Sequence, residues 1–158
     1  MRYIIVFLYG FFLSTTANSA QEKEQINWKT WEELDQSLAK KPKPVFLFFE
    51  AEWCVYCKKI DRVAFKNPEV IKQLNKNYYA VRMDVNSTQP IFFDQQWFHN
   101  TETRSKQNAV HELAKLFINQ PEKGITLPAT LILDQSFRLK QRLFSYYTSK
   151  HLLNILSD

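Results

Sequence analysis

The sequence predicts an α/β fold in which a central mixed β-sheet is flanked by helices and carries a hairpin-containing insert. Three observations predict it. Residues 45–49, VFLFF, form an unbroken apolar run of β-formers, the pattern of a strand buried on both faces beside parallel neighbours. Helical and strand patterns alternate from Thr30 to Val85, as a strand-helix-strand unit requires. Two further strand patterns near the C-terminus are joined by a short polar link, and an amphipathic stretch closes the chain.

Each element has a local signal. Residues 21–29 read as a polar lead-in. Thr30-Trp31-Glu32-Glu33 fits a capping box, with Trp31, Leu34 and Leu38 on one helix face, and Lys-Pro-Lys-Pro at 41–44 ends that helix. After VFLFF, a second helical pattern carries Cys57, Ile60 and Val63. Asn67-Pro68-Glu69 starts a third, with a cap, a first-turn proline and an acid suited to the helix dipole; Val70, Ile71 and Leu74 are its apolar face. Residues 78–85, YYAVRMDV, form the next strand. The segment 86–106 interrupts the rhythm, and IFF-DQQ-WF within it suits a small hairpin. A helix is predicted over 107–118 with Val110, Leu113, Ala114 and Phe117 inward, then a loop holding Gly124. Strands at 129–133 and 137–144, linked by Asp134-Gln135-Ser136, and a helix over 148–156 complete the chain.

A chain of 158 residues with 45% hydrophobic content is one domain that folds without disulfides. Residues 1–20 differ from the rest: Arg2, an apolar run from Tyr3 to Leu13, then small polar residues. The run is too short to span a bilayer alone and matches a secretory leader; an uncleaved anchor is the alternative. The expected domain is therefore 21–158, in an oxidising extracytoplasmic space, periplasmic or secreted, with no stable membrane insertion after cleavage. The formal charge of +5 comes from scattered lysines and arginines among acids, with no basic stripe, so nucleic acid is not an expected partner.

Chemistry concentrates in AEWCVYCKK, which holds both cysteines, Cys54 and Cys57. A structural zinc site wants four ligands, and His99, His111 and His151 lack the spacing to complete one. Two thiolates alone could hold Cu(I), so a soft-metal carrier stays open. A disulfide over so short a loop removes little chain entropy, which disfavours a structural staple. A working dithiol explains the placement best: the pair follows a buried strand and opens a helix, where free N–H groups and the dipole favour a thiolate. Cys54 is then the attacking sulfur and Cys57 the resolving one. Far along the chain, Thr126-Leu127-Pro128-Ala129-Thr130 leads into a strand. Pro128 can hold a cis bond, or be a trans residue that starts the strand. In this topology the loop flanks the dithiol, and Leu127 can offer its backbone to an extended substrate. Trp53 is placed to line the approach surface or simply to pack; Lys58 and Lys59 either add positive field near the thiolate or, as surface lysines, do little; His111 reads as a surface helix residue. Phe92, Phe93, Trp97 and Phe98 pack the insert onto the domain or frame a groove.

FFEAEWCVYCKK, NPEV, the MDV strand and LPATLILD together resemble the thioredoxin superfamily. More narrowly, the chain is similar to secreted bacterial thioredoxin-like proteins and to the C-terminal thioredoxin domain of the thiol:disulfide interchange protein D, over about residues 28–156. The resemblance implies a thioredoxin fold, Cys54 as nucleophile, Cys57 as resolving thiol and Pro128 as the cis-proline. Two positions depart from the family. The buried Asp usually found six residues before the first Cys is Phe48 here, with Glu50 and Glu52 nearby. The middle residues of the motif are Val55 and Tyr56 rather than Gly and Pro. The function expected is an extracytoplasmic thiol–disulfide oxidoreductase without metal or organic cofactor. Its expected partners are disulfide-containing exported proteins and a dithiol electron donor, a membrane protein among the candidates. A redox-inactive binding module of the same fold is the remaining alternative.

Overall fold

The computed structural model describes residues 24–102 and 108–157. The expected leader, residues 1–20, and the predicted helix start at Gln107 lie outside the described residues. The chain runs β1 (Trp28–Lys29), α1 (Trp31–Lys40), β2 (Val45–Glu50), α2 (Val55–Val63), α3 (Pro68–Asn77) and β3 (Tyr79–Asp84). It continues through β4 (Ile91–Phe93), β5 (Gln96–Phe98), α4 (Glu112–Ile118), β6 (Asn119–Gln120), β7 (Gly124–Ile125), β8 (Ala129–Leu133), β9 (Leu139–Leu143) and α5 (Ser149–Ser157).

Five strands form the central sheet in the order β1-β3-β2-β8-β9. β1 and β2 run parallel to β3, and β8 runs antiparallel to both β2 and β9. Val45 to Phe49 are all fully buried, because β2 has a strand on each edge and helices over each face. The pleat sends alternate side chains to opposite layers. Phe46 and Phe48 meet Phe65, just beyond α2, edge to face at centroid distances of 6.0 and 4.8 Å. Phe49 faces the other way, towards Trp31 of α1 and Phe117 of α4. The layer over Phe48 therefore holds the cysteine helix.

The helix starts follow the local chemistry. Thr30 and Glu33 form the reciprocal capping box, with Glu33 N–H donating to Thr30 Oγ1 and Thr30 N–H to Glu33 Oε2. The Asn67 side chain accepts from the backbone of Glu69 and Val70, and Pro68 fills the first turn of α3. The β4–β5 hairpin turns at Asp94 and Gln95, both with positive φ (48° and 62°), the pattern of a type I′ turn. Its pleat divides the aromatics. Phe93 is buried against Trp31 and Phe137, whereas Phe92 and Trp97 pair on the outer face at 5.2 Å. Packing onto the domain thus describes one face of the hairpin only.

Several expectations are corrected. The lead-in contains β1, a two-residue edge strand too short to show a period. Val63 is exposed; the buried face of the cysteine helix is Cys57, Ile60 and Ala64. The predicted loop at 119–127 contains the β6–β7 ladder, with Gly124 at φ 64°. The last strand starts at Leu139 because the Asp134 carboxylate accepts from Ser136 N–H and Arg138 N–H, holding Phe137 in a left-handed turn.

The fourth helix starts at Glu112, and His111 is a fully buried cap rather than a surface residue. Its Nδ1 accepts from Leu113 N–H, its Nε2–H donates to the Gln89 carbonyl, and its own backbone N–H donates to Val85. Both ring nitrogens are thus engaged by the neutral ring, and burial holds the pKa below its ordinary value. The Gln89 bond and Glu112 act in the opposite sense, while His99 adds to the lowering. A lowered folded-state pKa stabilises the fold above the unfolded value of about 6.5, and that stability is lost as pH falls through the folded value. Urea unfolding at pH 7 and pH 5 should show a fall for the wild type that shrinks in His111→Asn, where a neutral cap remains. Asp134 is held below its ordinary value, first by the hydrogen bond from the Arg138 backbone, so its contribution is lost only at more acid pH than that of His111.

Candidate active site

The site is built where β2 ends and α2 begins. Ala51 accepts from Cys54 N–H at 2.9 Å, turning the chain so that Cys54 becomes the N-cap of α2. Cys57 lies one turn in and points at the sheet. The two are joined by a disulfide, with S–S 2.03 Å and Cα–Cα 5.3 Å. Cys57 N–H donates to Cys54 Sγ at 3.2 Å, so an amide at the positive end of the helix addresses that sulfur. Cys54 keeps 5% of its surface exposed and Cys57 none, so an incoming group reaches Cys54 first. The surface around it is apolar: Trp53 is 56% exposed and Tyr56 58%, with Val55 exposed between the cysteines.

The Leu127–Pro128 peptide is cis. The β2–β8 ladder ends with Phe49 opposite Ala129, so Pro128 and Leu127 come just beyond it, at the end of the sheet that carries the disulfide. Pro128 is buried, and Leu127 is half-buried between β7 and β8.

The acids beside the motif differ from one another. Arg82 of β3 grips Glu50 through two nitrogens, Nε on Oε1 and a terminal nitrogen on Oε2 at 2.7 Å, and reaches Asp61 of α2 at 2.8 Å. Those hydrogen bonds raise the Arg82 pKa further. Glu52 is exposed. Both glutamates border a cleft of about 300 Å³ that Ala51, Lys58, Arg82 and Asp84 also line. Lys59 has its ammonium 4.6 Å from the centre of the Tyr146 ring, which Tyr56 also contacts. Among the described residues no three His, Cys, Asp or Glu side chains converge as a metal site.

Three features had no sequence signal. Tyr147 and Thr130 form a buried hydroxyl pair at 2.9 Å, in the layer of Phe48, since Thr130 is the cross-strand partner of Phe48. Burial pushes the Tyr147 phenol well above its ordinary pKa. Arg82 joins two acids distant in sequence. Asn86, in the insert, accepts from the Trp53 indole at 3.0 Å.

A buried-strand-to-helix turn that carries a redox-capable cysteine pair, on a sheet of this order with a cis-proline at the same end, defines a thiol–disulfide oxidoreductase of thioredoxin fold. The chain belongs to the Thioredoxin-like family, whose model matches residues 27–134. It is 37% identical over 84 residues to the thiol:disulfide interchange protein DsbD of Vibrio vulnificus (strain CMCP6), covering 51% of this chain and 14% of that protein. To the DsbD of Escherichia coli (strain K12) it is 41% identical over 61 residues, 36% of this chain and 11% of that one. The chain thus spans a small part of those relatives. Among solved structures it resembles a DsbH oxidoreductase, with a TM-score of 0.56 at 18% identity, over 94% of this chain and 92% of that one. It also resembles the reduced C-terminal domain of Neisseria meningitidis DsbD, with a TM-score of 0.51 at 17% identity, over 78% and 88%. At those identities the two structures speak for the fold. No helix among the described residues is long and apolar enough to cross a membrane.

Proposed function

We propose that this protein reduces or reshuffles disulfides in exported proteins, with Cys54 as nucleophile and Cys57 as resolving thiol. The observation that carries the reading is the Cys57 amide aimed at Cys54 Sγ at the helix start, with Cys54 the more accessible sulfur. In the reduced protein the same amide and dipole favour a Cys54 thiolate. That thiolate attacks a partner disulfide; the partner S–S bond breaks, a mixed disulfide forms on Cys54, and the partner's other sulfur leaves and takes a proton. Cys57 gives its proton to solvent and attacks Cys54 Sγ. The Cys54–Cys57 bond forms and the second partner thiolate departs, so two electrons have passed to the partner. A dithiol protein restores the reduced pair. Trp53, Leu127 and Pro128 receive the extended chain beside the partner disulfide, with Leu127 offering backbone hydrogen bonds. Residues 1–20 act as a leader that takes the domain, residues 21–158, to an extracytoplasmic space where such disulfides exist. The DsbD relatives are named for thiol:disulfide interchange, which supports the reading.

Cys57→Ser should trap a covalent partner on Cys54, visible as a mixed disulfide that thiol reagents release and peptide mass mapping locates. Adducts on Cys57 in the reciprocal Cys54→Ser variant, with none on Cys54 in Cys57→Ser, would reverse the assigned roles.

A further inference from the structure

The insert that follows β3 reaches the site through one side chain. Trp53 Nε1–H donates to Asn86 Oδ1 at 3.0 Å, although more than half of Trp53 is open to solvent. The amide of Asn86 has no freedom to turn. Its Nδ2 donates to the Ala109 carbonyl at 3.0 Å, which leaves Oδ1 facing the indole, and its backbone N–H donates to Asp84 Oδ1 at 2.9 Å. Asn100 donates to the same Ala109 carbonyl and to Ser87, tying the two ends of the insert together behind Asn86. His111 closes the same segment, bound to Val85 and Gln89.

We propose that Asn86 is a positioning residue that holds the Trp53 ring as a fixed apolar wall beside Cys54, and that the insert exists in part to present it. With its only donor occupied, Trp53 offers substrate a ring face and edge without a free N–H. Val55 and Tyr56, both exposed, continue that surface on the other side of the nucleophile. The class of partner this selects is a polypeptide whose disulfide is flanked by apolar or aromatic residues, in preference to one flanked by polar residues. A fixed ring also loses less conformational freedom when a partner docks, so the gain falls on binding rather than on the exchange step. The inference rests on the proposed exchange role of Cys54.

The test uses the full chain bearing Asn86→Ala, Asn86→Asp and Asn100→Ala. Two readouts are followed. One is hydrogen exchange of the Trp53 indole N–H, assigned by the signal absent from Trp53→Phe. The other is reduction of two synthetic disulfide peptides, flanked by Phe and Val or by Ser and Asn. In Asn86→Ala, indole exchange should accelerate and KM for the apolar peptide should rise about fivefold, the scale of one modest hydrogen bond, with kcat unchanged. Asn86→Asp keeps an acceptor for the indole but loses the donor to the Ala109 carbonyl, so it should fall between Asn86→Ala and the wild type in both readouts. Asn100→Ala loosens the segment behind Asn86 and should move both readouts in the same direction as Asn86→Ala, by less. Equal KM in wild type and Asn86→Ala, or a raised KM in Asn86→Ala with indole exchange unaltered, would overturn the proposal. A wild type that reduces neither peptide would instead remove the exchange role itself; unaltered indole exchange in Asn86→Ala would then still overturn the positioning of Trp53.

Discussion

Cys54→Ser should lower disulfide-reductase turnover by at least about a thousandfold while the fold survives. A serine hydroxyl stays protonated at the head of α2 and does not attack a disulfide, and removing a nucleophile outright leaves only what binding and positioning contribute. The structural cost is small for two independent reasons. The disulfide joins residues only three apart, so its loss returns little entropy to the unfolded chain. Cys54 is also the N-cap of α2, a position at which serine is among the preferred residues, so the helix start is kept. Turnover of a protein disulfide with dithiothreitol as electron source, read beside the urea midpoint of the reduced proteins, separates chemistry from folding. Retained turnover in Cys54→Ser, with complete loss in Cys57→Ser, would place the nucleophile one turn further into the helix and contradict the exposure of the two sulfurs.

Much of the frame was legible because its signals are local. VFLFF, short and made of β-formers, reads as a strand covered on both faces, and the capping box at Thr30 and the Asn67-Pro68 start gave helix boundaries through short-range hydrogen bonds. The cysteine pair was legible for the same reason, since strand, turn and helix start are contiguous there. What escaped depends on partners distant in sequence. His111 has the polarity of a surface residue, yet the Gln89 carbonyl and the Leu113 amide satisfy both ring nitrogens and allow it to be buried. No periodicity marks such a pairing, and the same contacts move the start of α4 five residues on from the predicted one. Asn86, Arg82 and the Tyr147–Thr130 pair share this origin: each acts across a tertiary contact. Val63 shows the opposite error. An apolar residue at helical spacing invites burial, but the face of α2 is set by Cys57 and Ile60, and the turn to α3 leaves Val63 at the rim.

Phe48 is where sequence and structure together make the largest stability prediction. In the family that the chain resembles this strand position carries a buried acid; here it carries a ring with no exposed surface, edge-on to Phe65 at 4.8 Å and with the Arg82 guanidinium 5.9 Å from its centre. Phe48→Ala should cost about 3–5 kcal/mol, the usual range for emptying an aromatic site in a packed core. Phe48→Asp should be worse at pH 7, because the carboxylate would enter a buried layer where the Thr130 and Tyr147 hydroxyls are already bonded to each other and Arg82 is already bound to Glu50 and Asp61. Burial raises the pKa of such a group, so its penalty grows as pH rises above the unfolded value of about 3.9 and eases below it. Urea unfolding of the two variants at pH 7 and pH 4.5 reads both effects: Phe48→Ala should change little with pH relative to wild type, while Phe48→Asp should recover towards Phe48→Ala at the lower pH. A Phe48→Asp protein as stable as wild type at pH 7 would show that the layer beneath the cysteine helix admits water, and would return the buried-acid arrangement to consideration.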